Sequence, residues 1–301
     1  MKQPFVSIII NCFNGEKFLK KCIQSTLNQT YRNFEVIFVD NNSTDKSKEI
    51  LSGFNDIRIK YFFSKKKLPL GNARNYALEK CKGDLITFLD VDDWYSNDKL
   101  ELQVKEFLRD KETGLVFTNY FQYNNKSKKK FLIDCKRHEK SITQNLIDDY
   151  NIGIITIMVK NDLIKALKFN SDYNFVEDFD MVIRLSFITK FKFIENPTAF
   201  YRIHDNNLSK VKLSNYIEEY KVWISNFDKL NKNREKFVFN KITTHIKLME
   251  IKLKIINGKR LSAFKEIIFC DFNKDIIKKL KYLLSIFLPL FLIRKFHQGM
   301  F

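Results

Sequence analysis

Residues Phe5 to Asp45 read FVSIIINCFNGEKFLKKCIQSTLNQTYRNFEVIFVDNNSTD. Phe5 to Ile10 is a nearly continuous apolar run rich in β-branched residues, the pattern of a strand buried on both faces of a parallel sheet. Asn14-Gly15 breaks the run. Phe18, Leu19, Cys22, Ile23 and Thr26 then recur at helical spacing and predict one apolar helix face. Phe34 to Val39 is a second buried strand, and Asn41 to Asp45 turns the chain and offers N-cap residues to a helix over 44–52. A strand, a crossing helix and a second strand at this spacing make a βαβ unit, which sets its two strands parallel.

The alternation continues outward. Strands are expected at 57–63, 85–89 and 115–119, with helices at 71–81 and 98–109. Beyond a hydrophilic hairpin tip at Lys126–Lys130 come a helix near 141–147, a strand at 154–159, helices at 161–167 and 178–189, and short strands at 191–195 and 199–203. This order predicts an α/β fold, a doubly wound and mostly parallel sheet. From 211 the pattern turns helical and lysine-rich, with helices expected over 211–230, 235–256 and 260–269. The chain therefore divides into an α/β domain, 1–210, and a basic helical region, 211–301.

With 301 residues, 45% hydrophobic and 29% charged, the chain can bury a full core without disulfides or metal staples, and general disorder is excluded. Its five cysteines are odd in number and form no C-x-x-C pair, which argues against a disulfide framework and a zinc site. The N-terminus carries no signal-peptide pattern, so a cytoplasmic location is expected. The net charge is +18, and residues 206–301, with 20 basic and 8 acidic residues, hold most of it. Such a balance favours anionic partners. Nucleic acid is not expected among them, because the carboxylates crowd the expected cleft and the basic excess lies beside an apolar anchor rather than on a recognition element with interleaved aromatics. Tyr282 to Ile293 is an uncharged apolar run, too short to span a bilayer. Lys278, Lys279 and Lys281 precede it and Arg294 and Lys295 follow it. That flanking predicts a peripheral contact of segment 274–295 with anionic lipid; the alternative is a helix docked on its own domain or on a second copy, giving a homodimer.

In open α/β sheets ligands bind beyond the carboxyl ends of the strands. There the chain places Asn11 to Glu16, Asp40 to Asp45 and Asp90-Val91-Asp92-Asp93. No G-x-G-x-x-G and no P-loop is present, which removes dinucleotide enzymes and P-loop NTPases. Three carboxylates after the buried strand Leu85–Leu89 suit Mg²⁺ or Mn²⁺ shared with a diphosphate, or else cap the next helix.

Five motifs in order then resemble family 2 glycosyltransferases of the GT-A fold, a Rossmann-like domain. They are the opening run to Asp45, GNARNYAL at 71–78, FLDVDD at 88–93, NFVEDFDMVIRLSF at 174–187 and FYRIHDNNLS at 200–209. The resemblance covers about residues 4–210. It implies inverting transfer of a sugar from a nucleotide diphosphate, such as a UDP-sugar, to a hydroxyl of a glycan or lipid-linked acceptor of bacterial surface polysaccharide. It places the nucleotide-sugar side at about 1–119 and the acceptor side at about 120–210. Asp40 matches the carboxylate that meets the uracil, with Phe13, Asn14 and Glu16 around the same pocket. Arg74 is expected at the nucleotide or its phosphates, and Asp90 and Asp93 at the donor. Asp92 is the expected metal ligand, joined by Asp90 and His204, for Mn²⁺ or Mg²⁺. Asp178 is the expected base, with Glu177 as its neighbour or substitute; the bare residues alone would also suit two acids at a helix N-terminus. A nucleotidyltransferase would show a cationic Gly-rich loop after the first strand, which Asn11-Cys12-Phe13-Asn14-Gly15 does not supply. An inactive member serving as an assembly partner would have lost acids that this chain keeps.

Overall fold

The structure is a computed structural model; it describes residues 3–135, 142–208, 212–230, 236–270 and 276–287. The chain forms two compact units, one of residues 1–146 and 150–204, the other of 147–149 and 205–301.

The first unit is built on β1 (Val6–Cys12), β2 (Phe34–Asp40), β3 (Ile59–Phe63) and β4 (Leu85–Asp90), which lie parallel in the order β3-β2-β1-β4. All seven residues of β2 are buried, as the unbroken apolar run requires. Helices α1 (Glu16–Leu27), α2 (Ser47–Ser52) and α3 (Leu70–Lys80) make the crossings. The remaining strands are β5 (Trp94–Tyr95), β6 (Thr113–Asn124), β7 (Lys130–Ile133), β8 (Met158–Lys160) and β9 (Lys190–Ile203), with helices α4 (Lys99–Arg109), α5 (Ile142–Asp148), α6 (Asn161–Leu167) and α7 (Glu177–Ser186) among them. Here the sheet is mixed: β8 runs antiparallel to β4 and β6, β5 to β9 and β7 to β6, while β9 lies parallel to β6.

Two local departures from the sequence expectation have clear causes. The strand expected over 154–159 begins as a 3₁₀ turn, Ile154–Thr156, because Thr156 donates both its N–H and its hydroxyl to the Gly153 carbonyl. The two strands expected at 191–195 and 199–203 are one, β9, whose register against β6 shifts between Thr118 and Tyr120. Pro197 lies in that irregular stretch; it cannot donate to a ladder, and the Asn119 side chain takes up the Glu195 carbonyl there.

The second unit is helical: α8 (Leu213–Leu230), α9 (Asn240–Ile256), α10 (Arg260–Phe269) and α11 (Ile276–Phe287). Leu248, Ile251 and Ile255 of α9 pack with Ala263 and Ile267 of α10 and Tyr282 and Ile286 of α11. Leu280, Leu284 and Phe287, one helical turn apart, are exposed on the other side of α11. The rest of the apolar run, from 288, and its flanking Arg294 and Lys295 lie outside the described residues, as do 274–275. Among the described residues no helix is long and apolar enough to cross a membrane.

Candidate active site

The site grows from the strand ends. Cys12 pairs with Asp40 across β1–β2, and Asn11 with Asp90 across β1–β4, so the two carboxylates flank the end of β1. The sheet is extended on opposite sides of β1, by β2 and by β4, which makes this the switch point where such sheets form a crevice.

On the β2 side the loops are stitched together. Asp40 is buried; Oδ1 accepts the Ser43 N–H at 2.8 Å and Oδ2 the Tyr61 hydroxyl at 2.9 Å. Asn14 sits in the left-handed region, φ 51°, which lets its N–H donate to Ser43 Oγ at 3.0 Å and its Oδ1 accept the Thr44 N–H at 2.8 Å. Glu16 and Asp45 form a reciprocal clasp. The Glu16 N–H donates to Asp45 Oδ2 at 2.9 Å, and the Lys46 N–H donates to Glu16 Oε2 at 3.0 Å. Asp45 also accepts the Ser47 N–H at 3.0 Å, so it serves the first turns of both α1 and α2. Burial pushes its carboxyl up, but the bonds from Ser47 and Glu16 outweigh it and hold the group below its ordinary range. Glu16 is thus occupied by the neighbouring loop. Phe13 is exposed beside it, with the Lys67 ammonium 3.5 Å from its ring centroid.

The acidic loop divides its carboxylates by direction. The Asp93 N–H donates to the Asp90 carbonyl at 3.0 Å, closing a turn. Asp93 points inward: Oδ1 accepts the Arg202 N–H at 2.7 Å, while Oδ2 is buried without a partner. Burial, then Asp92 and Asp90, push its carboxyl well above the usual range. Asp92 is more open, and its Oδ2 lies 2.9 Å from His204 Nε2. Asp90 Oδ1 accepts Arg74 Nη2 at 3.1 Å. Burial and Asp92 push the Asp90 carboxyl up, and Arg74 offsets only part of this.

Arg74 is not at the protein surface. It is buried in α3, and its other nitrogen, Nη1, donates to Glu177 Oε1 at 2.5 Å. It therefore bridges the end of β4 and the start of α7. Glu177 is buried and its Oε2 has no partner. Burial pushes this carboxyl up, Arg74 opposes and Asp178 adds. Asp178 is half-buried; its Oδ1 accepts the Phe179 N–H at 2.7 Å, and burial raises its carboxyl against the pull of Arg74. Asp180 pairs with Arg184 Nε at 2.8 Å.

One functional residue had no assigned role in the sequence, although its motif was visible. Arg202 is the last residue but one of β9 and His204 follows directly after the strand, so the spacing of two puts both side chains on one side of the chain. Arg202 Nε donates to the Asp92 carbonyl at 2.6 Å and Nη1 to Asn125 Oδ1 at 3.0 Å, and its guanidinium lies over Phe18 and Trp94. It holds the acidic loop to β9. The bonds to Asp92 and Asp93 are what bring His204 beside Asp92.

Among the described residues no group of three His, Cys, Asp or Glu side chains is arranged to hold an ion alone. What the site offers is one carboxylate oxygen and one imidazole nitrogen at Asp92 and His204. It also offers a second acidic pair at Glu177 and Asp178, and Arg74 between the two clusters.

Comparison with known proteins shows the family and a similar fold. The family model described as Glycosyl transferase family 2 matches residues 7–164. An uncharacterized glycosyltransferase of Haemophilus influenzae is 34% identical over 231 residues, which cover 74% of this chain and 89% of that one. The Escherichia coli UDP-Glc:alpha-D-GlcNAc-diphosphoundecaprenol beta-1,3-glucosyltransferase WfgD is 29% identical over 265 residues, 86% of this chain and all of that one. Among solved structures, the mannosyltransferase PcManGT of Pyrobaculum calidifontis, in complex with GDP-Man and Mn²⁺, superposes with a TM-score of 0.60 at 15% identity, covering 98% of this chain and 84% of that one.

Proposed function

The chain belongs to glycosyl transferase family 2, and on that premise we propose that it transfers one sugar, with inversion, from a UDP-sugar to a hydroxyl of a glycan or lipid-linked acceptor in surface polysaccharide or glycolipid synthesis. The observation that carries this reading is the Arg74 bridge, which ties the diphosphate-side acid Asp90 to the acceptor-side pair Glu177-Asp178 in one ion-pair network. The printed name of WfgD, with its UDP-Glc donor and diphosphoundecaprenol acceptor, supports the same donor and acceptor classes.

In this mechanism Asp40, Asn14 and Phe13 hold the nucleoside at the ends of β1 and β2. Asp178 takes the proton of the acceptor hydroxyl, whose oxygen attacks the anomeric carbon. The bond from that carbon to the diphosphate oxygen breaks, and its electron pair leaves with the nucleoside diphosphate. A carboxyl raised by burial is a better base near neutral pH than an ordinary one. Glu177, held by Arg74, orients Asp178 and the sugar side of the cleft. The residues present fit Mn²⁺ or Mg²⁺: Asp92 and His204 would hold the ion, with the balance of its ligands from diphosphate oxygens and water, and an imidazole among oxygens suits Mn²⁺. When bound, the ion supplies charge neutralisation to the leaving diphosphate. Asp90 and Asp93 shape the loop and meet the donor. The exposed face of α11 fits attachment to the cytoplasmic face of the cell membrane, with a homodimer through these helices as the competing use.

The test is nucleotide release from a panel of UDP- and GDP-sugars by the purified chain with Mn²⁺. Release from a UDP-sugar, lost in Asp92→Asn and in excess EDTA, is expected. Full activity in EDTA would overturn the metal assignment, and release from GDP-sugars alone would overturn the donor.

A further inference from the structure

The β6–β7 hairpin concentrates charge and apolar surface in a way that the active site does not use. Its sequence from 126 is Lys-Ser-Lys-Lys-Lys-Phe-Leu-Ile. The turn is well built: Asn124 Oδ1 accepts the N–H groups of Lys126 and Ser127, the Asn124 carbonyl accepts that of Lys128, and Lys128 adopts φ 59°. The four lysines are exposed, and so are Phe131, 57%, and Leu132, 52%. β7 pairs only with β6 among the described strands, so it is an edge.

Lysines on an edge strand guard against pairing with other chains, and that alone would explain their presence. It does not explain two large apolar side chains exposed directly after them, Phe131 on one face of the ribbon and Leu132 on the other. Nor does it explain the extension of the charge onto α1. The Lys21 ammonium lies 3.6 Å from the Trp94 ring centroid and 5.9 Å from that of Tyr123, the β6 residue paired with Lys130 next to the turn. Among the described residues Lys21, Lys128, Lys129 and Lys130 have no carboxylate partner; Lys130 lies over Phe121 instead. Burial lowers the pKa of Lys21, and repulsion from the buried Arg202 and from Lys128 lowers it further, so Lys21 and the hairpin turn lie close together. An anionic partner would relieve that repulsion.

We propose that the β6–β7 hairpin is a membrane-contact element that meets the bilayer by its free β7 edge, so that its lysines meet anionic headgroups while Phe131 and Leu132, on either side of that edge, enter the interface. Cationic side chains beside exposed aliphatic and aromatic ones are what an anionic bilayer surface matches. A polyanion such as nucleic acid or an acidic glycan would answer the charge but leave Leu132 in water. The hairpin is also tied to the reaction centre. The Asn125 N–H donates to the Ile203 carbonyl, and Asn125 Oδ1 holds Arg202, which holds the Asp92 carbonyl. Docking here presents the acidic loop to a lipid-borne acceptor. The purpose rests on the function proposed above; the contact itself is tested without any sugar transfer.

The experiment uses the full chain with vesicles of phosphatidylcholine alone or mixed with phosphatidylglycerol. At low salt the triple variant Lys128→Gln, Lys129→Gln, Lys130→Gln should bind the anionic vesicles at least about tenfold more weakly. Phe131→Ser with Leu132→Ser should weaken binding severalfold, with less dependence on salt. Leu132→Trp should show a blue-shifted emission on anionic vesicles and none with heparin or tRNA. Unchanged vesicle binding by both multiple variants would overturn the proposal, as would a Leu132→Trp shift with the polyanions and not with vesicles. Donor hydrolysis in solution, followed in the same variants, should be unaffected; its absence from the unmodified chain would count against the glycosyltransferase reading and not against this one.

Discussion

Arg74 shows what a residue type reveals and what it conceals. The acids of the site were visible as acids at strand and helix ends, because polar residues after buried strands have few other uses. The partners of Arg74 were not visible: Glu177 lies 103 positions away, and no local pattern marks that pairing. Asp178→Asn is expected to lower kcat by at least about 10²-fold while donor affinity, read by UDP titration, changes little. Arg74→Met tests the bridge through pH. The Arg74 charge holds the carboxyls of Glu177 and Asp178 down against burial, so its loss raises both further. The acidic limb of the kcat profile should therefore move to higher pH. Stability follows the same sign. A carboxyl raised in the folded state contributes fully below its ordinary pKa, and its contribution is lost as pH rises through the folded value. Glu177 is held at about 8 with Arg74 present, so Arg74→Met should cost no more at about pH 8 than at about pH 5, with its cost growing only as pH rises past about 9, where Arg74 alone would have paired an ionised carboxylate. A loss of melting temperature that does not grow above about pH 9 would remove Glu177 as the group responsible.

How strands and turns meet was legible where the apolar runs were unbroken and lost where the backbone improvises. The parallel strands β1, β2 and β4 could be read from their buried runs, and β3, which buries none of its residues, from the strand–helix alternation. The 3₁₀ turn at Ile154–Thr156 and the register shift in β9 could not, since a hydroxyl-to-carbonyl bond and a proline inside a strand act through partners that periodicity does not encode. The close approach of the β1–α1 turn to the acidic loop is another such feature. A Cβ on Gly15 would lie 2.6 Å from Val91 Cγ2 and 2.9 Å from Cys12 Sγ. Only a residue without a side chain lets this turn support the loop that carries Asp90, Asp92 and Asp93. Gly15→Ala is expected to cost about 1–3 kcal/mol by overpacking, seen as a melting temperature lower by several degrees, and to weaken UDP binding. Adding Val91→Ala should restore most of both. If the double variant is as impaired as Gly15→Ala alone, the loop is not supported through this contact.

The charge gradient and the apolar tail belong to the chain as a whole, and in sequence the tail reads two ways: a lipid anchor, or a helix docked on its own domain or on a second copy. In α11 each reading has its own face. Tyr282 and Ile286 are buried with α9 and α10, whereas Leu280, Leu284 and Phe287 are exposed and Lys279 and Lys281 lie among them. Periodicity could not separate these uses, because a run that is apolar all round carries no preferred face. The distinction changes the experiment. Deleting 274–301 would strip Tyr282 and Ile286 from the core of the helical unit, so lost vesicle binding in such a protein could simply report unfolding. Leu280→Gln, Leu284→Gln and Phe287→Gln together leave the inner face intact. This variant should keep its helical circular dichroism and its melting temperature within a few degrees, because exposed positions contribute little to folding. It should bind phosphatidylglycerol vesicles severalfold more weakly than the unmodified chain. Should it instead bind vesicles normally while a dimer seen by analytical ultracentrifugation dissociates, the exposed face of α11 serves a second copy of the chain, and attachment to lipid falls to other surfaces.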